Sequence, residues 1–320
     1  INNLSQLPKL RVVPRTLVSS YNGNETAPRP FFPSLPFLSL LPFPFFPLFS
    51  PLPLPTSLLA LSNCSQLLGQ QYNRKFTEIL AVQEEIAKRV SEKLHLRTTG
   101  EEQQRLGRRS TGNGRACHAC LKGGYDRRRR TAELLKTANE YFQQADEKDP
   151  GYGLAYAGLA ESYARFSDYE VQPARESWPK AKAAGMKALE IDENLGDAHA
   201  ALGRIKMYCD WDWAGSEREF KRALEINPND GTARQWYGHY LHAIGRLEES
   251  IAEGRRALEA EPLSLIIRAD LGLTLYSARH YDQAIEQMRK TIDMDRNFGP
   301  AHQYVGFVSE QKAMVAEAVG

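Results

Sequence analysis

Four glycines act as a ruler along this chain. Gly203, Gly238, Gly272 and Gly306 stand 35, 34 and 34 residues apart, within "AHAALGRIKMY", "ARQWYGHYLHA", "IRADLGLTLYS" and "AHQYVGFVSEQ". Ala160, in "YAGLAESYA", holds the same place one unit earlier. A second segment follows each of these, and in it Ala145, Ala188, Ala223, Ala257 and Thr291 keep register at intervals of 43, 35, 34 and 34. Five residues further on come Pro150, Glu193, Pro228, Pro262 and Arg296. A sustained period of this length means that one small unit is stacked many times over.

Within a unit, apolar residues recur at helical spacing, as in Trp213, Phe220, Ala223 and Leu224, so each unit reads as two helices joined by a turn. The small residue at the Gly203 place lets the first helix lie close against the second helix of its own unit. The small residue at the Ala223 place does the same between neighbouring units. Proline after the second helix stops it. One such pair cannot bury both of its faces, so the units must stack. The expected fold is all-α, a helix–turn–helix solenoid over residues 111–320. The insertion "FSDYEVQPARESWP" (166–179) is expected to be a surface loop.

The period, the pairs Leu202-Gly203 and Leu271-Gly272, the small residues Ala188, Ala223 and Ala257, and the terminal Pro228 and Pro262 together resemble the tetratricopeptide repeat. The resemblance covers roughly 115–311, as about four full units, a longer first one and a last one cut within its first helix. Arg296 and Thr291 depart from the pattern. The resemblance implies a concave face lined by the first helix of each unit. With glycine as register, the residues facing that groove are Arg165, Arg204, Tyr208, Gln235, His239, His242, Tyr276, Gln303 and Phe307. This polar, aromatic and mildly basic strip suits an extended or helical peptide or a protein partner. The basic clamp with which some chaperone-binding repeats hold a terminal carboxylate is not visible, because Ala157, Ala200 and Ala269 occupy its places.

Upstream, "RPFFPSLPFLSLLPFPFFPLFSPLPLPTSLLAL" (29–61) is long and apolar enough for a membrane span. Pro33, Pro36, Pro42, Pro44, Pro47, Pro51, Pro53 and Pro55 break any helix there, and lipid does not tolerate unpaired backbone. Polyproline-like or disordered chain is expected instead. Residues 72–106 read as two linking helices, with Thr99 and Glu102 as a capping box between them. Together with "LSQLPKLRVVPRTLVSSYNGNET" (4–26) they resemble the TolB-like segment that precedes tetratricopeptide repeats in large bacterial signalling proteins. There the first module is often a winged-helix DNA-binding domain, a protein kinase or a nucleotide cyclase. The expected division is therefore a TolB-like remnant over 1–71, linking helices over 72–110 and the solenoid over 111–320. Where such relatives carry an α/β pattern, between Glu25 and Tyr72, this chain carries the proline tract. A compensated frameshift would produce that, and sequencing the coding DNA tests it. The chain opens on Ile1 rather than Met, so it reads as a fragment or a processed product.

The residues offer little to a catalytic reading. Net charge is +2, which argues for no strong field toward nucleic acid or membrane. "CHAC" (117–120) has no second ligand pair at zinc spacing, so Cys117 and Cys120 read as packing positions. The arginines of "YDRRRRTAELL" (125–135) lack interleaved aromatics and read as a solvated loop or helix start. In "CDWDWAG" (209–215), Trp213 is expected to pack the second helix and Trp211 to cap the loop. The histidines follow the repeat instead of converging, and HExxH, GxSxG, P-loop and Rossmann signatures are missing. The expectation is a non-catalytic interaction scaffold without cofactor or metal, forming the C-terminal part of a bacterial signalling protein. The alternative is a fragment of a multidomain enzyme or transcription regulator. The upstream module would decide between a cytoplasmic and a periplasmic location.

Overall fold

In a computed structural model, the backbone is described for residues 11–13, 37–40, 52–60, 65–74, 111–128 and 131–319. From residue 114 onward every element is a helix. The helices are α1 (Gly114–Arg128), α2 (Ala132–Lys148), α3 (Gly153–Phe166), α4 (Ala174–Ile191), α5 (Gly196–Ile205), α6 (Trp213–Ile226), α7 (Gly231–Ala243), α8 (Leu247–Ala260), α9 (Leu265–Ser277), α10 (Tyr281–Met294) and α11 (Gly299–Val319). They form antiparallel pairs in chain order, with α11 last. Two compact units divide the chain at Asn229 and Asp230. The first holds the pairs α1–α2, α3–α4 and α5–α6, and the second holds α7–α8, α9–α10 and α11.

Helix starts are set by short polar side chains that accept from otherwise orphaned amides. Thr131 caps α2 through Leu134 N, Asp212 caps α6 through Gly215 N, Asp230 caps α7 through Ala233 N, and Ser264 caps α9 through Ile267 N. The first helix of a pair ends on a left-handed residue: Glu170 (φ 54°), Trp211 (φ 56°), Gly245 (φ 79°) and Arg279 (φ 63°). The last three are 34 residues apart.

Close helix pairing rests on the glycine ruler. A Cβ at Gly203 would lie 3.0 Å from the Phe220 ring, and one at Gly272 would lie 2.3 Å from Met288 Cε. In two pairs the carbonyl at the glycine place also accepts a hydroxyl, from Ser216 Oγ to Gly203 O at 2.8 Å and from Ser250 Oγ to Gly238 O at 2.7 Å. The alanine place does its work between pairs: Ala145 packs on Tyr152 and Ala155, and Ala188 packs on Leu195 and Ala198. Thr291, which stands in for alanine, is fully buried and returns its hydroxyl to Gln287 O at 2.9 Å. A Cβ at Gly306 would meet nothing within 4 Å, since α11 has no second helix behind it among the described residues.

Two expectations change. The insertion is a loop only over 167–173; from Ala174 it is helix, so α4 runs 18 residues, and Ser177 and Trp178 are buried. Trp178 finds apolar cover against Ala164, Ala181 and Leu202, which a solvated loop would deny it. Upstream of the helices, four strands form one sheet in the order β1 (Arg11–Val13), β2 (Phe37–Leu40), β3 (Leu52–Ala60), β4 (Ser65–Arg74). Two of them lie in the proline tract. Pro53 and Pro55 are tolerated because β3 pairs β2 only over 58–60 and meets β4 alone at the prolines. Tyr72 to Arg74 also end a strand instead of opening a linking helix; residues 75–110 lie outside the described residues.

Candidate functional site

In the first unit, α3 and α5 carry the expected groove residues. Glu161 and Arg165 are one turn apart on α3, and Glu161 Oε1 accepts from Arg165 Nε at 3.1 Å and Nη2 at 2.6 Å. Arg127, in the last turn of α1, pairs with the same carboxylate. Arg204, on α5, donates Nη2 to Asp168 from the 167–173 loop. Its guanidinium carbon lies 5.4 Å from the Trp178 ring centre and 5.9 Å from that of Tyr208, and the two rings stack at 6.3 Å. Such cation–π contacts fix a guanidinium and discourage its hydration. Burial drives Arg204 down to about 10; Asp168 pulls against this and the charge of Arg165 adds to it.

After Ile205 the backbone widens into one π-helical turn, Lys206–Asp210, closed by Asp212 N on Lys206 O at 2.9 Å. The extra residue carries Tyr208 outward to 43% exposure and Trp211 to 70%. Trp211 keeps only an edge-to-face contact with Trp213, at 6.0 Å. Its backbone N–H caps the turn on Lys206 O, while the ring stands in solvent.

In the second unit, Asp270 on α9 gathers α7. Gln235 Nε2 donates to it, and His239 Nε2 lies 2.9 Å from its Oδ2. One turn on, His242 Nε2 is 2.9 Å from Ser277 Oγ. Ser277 gives its hydrogen to Leu273 O at 3.2 Å, so His242 donates to the hydroxyl, the reverse of what a nucleophilic serine needs. Burial holds His242 below its ordinary value; nearby His239 adds to this and Asp270 opposes it. Tyr276 is half-buried against Tyr281 at 6.0 Å. On α11, Gln303 is exposed and Phe307 is 41% exposed.

Arg165, Arg204 and Gln235 are thus not open contacts; all three are buried beneath polar partners. Asp168 and Asp270 were missed by sequence reasoning. Asp270 lies one period, 35 residues, from Gln235, and that spacing was the available signal. Asp168 lies 36 residues from Arg204 but in the 167–173 loop, off the repeat register, where no spacing signal pointed to it. A second device was also missed. The residue four before the glycine reaches back to the carbonyl at the terminal-proline place: His199 to Glu193 O at 2.9 Å, Arg268 to Pro262 O at 2.8 Å, and His302 to Arg296 O at 2.8 Å. His199 Nδ1 also meets Glu219 Oε2 at 2.6 Å, and Lys206 meets Oε1 of the same carboxylate at 2.7 Å.

Of the other motifs, Cys117 is buried and Cys120 half-buried inside α1. Burial pushes both thiols up, Cys120 to about 12, against hydrogen bonding from Tyr152. Thiols raised in this way are poor nucleophiles near neutrality. Tyr125 to Arg128 finish α1 rather than forming a loop. Among the described residues no three His, Cys, Asp or Glu side chains are grouped to hold a metal, and no helix is long and apolar enough to cross a membrane.

No family model matches the chain. It is 27% identical over 166 residues to the transcriptional regulator HilA of Salmonella typhimurium, covering 52% of this chain and 29% of HilA. It is 30% identical over 128 residues to the type IV pilus assembly protein PilF of Pseudomonas aeruginosa, covering 38% of this chain and 49% of PilF. The chain therefore spans less than half the length of each of these curated relatives. Among solved structures, a monomeric mutant of human IFIT1 with Gppp-AAAA aligns with a TM-score of 0.55 at 15% identity, over 73% of this chain and 52% of that one. TTC0263, a tetratricopeptide-repeat protein of Thermus thermophilus, aligns with a TM-score of 0.49 at 15% identity, over 60% and 97%. With its 34-residue ruler realised as successive helix pairs, the chain has the tetratricopeptide-repeat fold.

Proposed function

We propose that the chain is a non-catalytic interaction scaffold that takes a peptide or protein partner along the first-helix faces of its units. The observation that carries this is the set of polar links between adjacent helix pairs, Asp168–Arg204 in one unit and Gln235–Asp270 and His242–Ser277 in the other. These links fix the side chains of the face. Tyr208, Gln303 and Phe307 stay exposed beside them. Rigid polar groups with exposed aromatics at the rim are what a peptide-binding strip needs, since preorganisation lowers the cost of association. Arg165 belongs to the first unit's face, and His239 and Tyr276 to the second unit's.

Affinity capture with the full chain, followed by partner identification, tests the proposal. Binding should fall at least tenfold in Tyr208→Ala or Phe307→Ala and stay unchanged in Cys120→Ser. Equal effects from all three would overturn it. Binding should also survive a rise from low to moderate salt; a steep loss would point to nucleic acid instead.

A second reading is favoured by one comparison. The alignment with HilA, a transcriptional regulator, covers 166 residues of this chain. That fits a piece of a regulator whose DNA-binding module lies upstream of Ile1, and it fits the resemblance to bacterial signalling proteins. The genomic sequence directly upstream decides the point: an encoded winged-helix, kinase or cyclase module makes the scaffold one arm of a larger protein.

A further inference from the structure

Arg204 is built unlike a structural arginine. Its side chain is 3% exposed, whereas the Asp168 carboxylate that it holds is 40% exposed. The base is fixed and the acid sits at the rim. Trp178 and Tyr208 hold the guanidinium from the sides, and Arg165 supplies a second positive charge close by, its partner Glu161 being already shared with Arg127.

The acid arrives on a piece of chain that the repeat does not require. In the second unit the turns between first and second helices are three residues long, 244–246 and 278–280. The corresponding connection here runs over 167–173. It turns through the left-handed Glu170 and anchors itself by Val171 N on Phe166 O at 2.8 Å. That fold-back brings Asp168 onto Arg204. A carboxylate on a short surface loop, meeting a buried and ring-held guanidinium, has the geometry of a tethered ligand.

We propose that Arg204 is the seat for an acidic side chain of the bound peptide, and that Asp168 occupies this seat as a resident competitor. The inference rests on the groove reading above. A partner carboxylate exchanges with Asp168 at the same guanidinium fork, the aromatic edge of Tyr208 contacts the flanking apolar residue, and the loop swings out. The exchange needs no change in the charge of the seat. It makes affinity depend on the fraction of time that Asp168 is away.

The test is to pan a phage-displayed library of random 12-residue peptides on the full chain, then synthesise the selected peptides with each acid replaced by its amide. The selected peptides should share an acidic position whose amide weakens binding about tenfold. Asp168→Asn should tighten binding of the parent peptide about tenfold, as expected if the loop holds the seat about nine-tenths of the time. Arg204→Gln should lose the preference for acid over amide. Because Arg204→Gln disturbs a buried position, the surface change Asp168→Asn carries the decision. If peptides bind and depend on Tyr208 but show no preference for acid, or are not tightened by Asp168→Asn, the inference falls and the groove reading stands. If no selected peptide depends on Tyr208 or Phe307, the groove reading itself falls. If inorganic phosphate or a single-stranded oligonucleotide displaces the peptide at equal charge, the seat is a phosphate site and the acidic-peptide assignment is overturned.

Discussion

Gly158 is the position at which the close-packing argument can be tested most severely. A Cβ there would lie 2.3 Å from Phe142 Cε1 and 2.5 Å from Cδ1 and Cζ, whereas carbon atoms settle at about 3.5–4.0 Å. The ring must therefore retreat by more than about an ångström. It cannot do so freely, because the same ring atoms also lie close to Gly123, where a Cβ would be 2.9 Å from Cε1 and from Ala138 O. Phe142 is also buried among Ala138, Leu159, Ala184 and Ala201. Overpacking of this kind costs about 1–3 kcal/mol, and a rigid ring between two backbones puts Gly158→Ala at the upper end. Helix propensity returns about 1 kcal/mol for glycine to alanine, which leaves a net loss of about 2 kcal/mol and a fall in melting temperature of about 4–8 °C. Gly306→Ala is the control: with nothing near its Cβ, it should gain up to about 1 kcal/mol from propensity alone. Far-UV circular dichroism melts read both variants. Adding Phe142→Leu to Gly158→Ala should recover part of the loss, although Phe142→Leu alone destabilises. A Gly158→Ala variant that melts at or above the parent would refute the reasoning, and so would a double variant whose losses simply add.

Three further outcomes follow from single residues. Arg279→Gly should raise the urea midpoint with unchanged slope, by about 1 kcal/mol, since Arg279 is exposed and left-handed (φ 63°) where the preceding unit has Gly245; a lower midpoint would show that its side chain contributes more than the strain costs. His242 is held below its ordinary 6.5 by burial, so the folded state binds its proton less readily than the unfolded chain does. Its contribution to stability is complete above 6.5 and is lost as pH falls through that value; His242→Gln, which keeps a donor for Ser277, should flatten the urea midpoint across 6.5, and an unchanged slope would count against it. Burial opposes the charge of Glu219, but bonds from His199 and Lys206 outweigh it and hold the carboxyl below its ordinary 4.5. Glu219→Gln should therefore cost about 2 kcal/mol near neutrality, a deficit that closes as acid protonates the parent below 4.5, and a deficit independent of pH would assign the loss to packing instead.

What sequence could and could not reveal divides along a physical line. The ruler Gly203, Gly238, Gly272, Gly306 was legible because a close helix approach excludes a Cβ, and that constraint is local and repeats. Helix starts at Thr131, Asp212, Asp230 and Ser264 come from an equally local rule, a short polar side chain meeting an amide three residues on. Burial of Arg165, Arg204 and Gln235 was not legible in this way. Placing a residue on a face from its register says nothing about which side chain covers it: Glu161 covers Arg165 from its own helix, while Asp168 and Asp270, which cover Arg204 and Gln235, belong to other helix pairs. The left-handed turns were hidden for a different reason. Glu170, Trp211 and Arg279 disfavour that conformation; the array forces it on Trp211 and Arg279, which stand one period either side of Gly245, and the fold-back of the 167–173 loop forces it on Glu170. The insertion misled most. Its prolines and charges read as loop, yet Pro173 starts a helix that carries Trp178 into the core. That single burial places an aromatic face beside Arg204, and the short loop that remains is what delivers Asp168. The segment read as a surface loop is therefore the one that individualises the face of the first unit, since the repeat alone would leave Arg204 with the Tyr208 ring but with neither Trp178 nor Asp168.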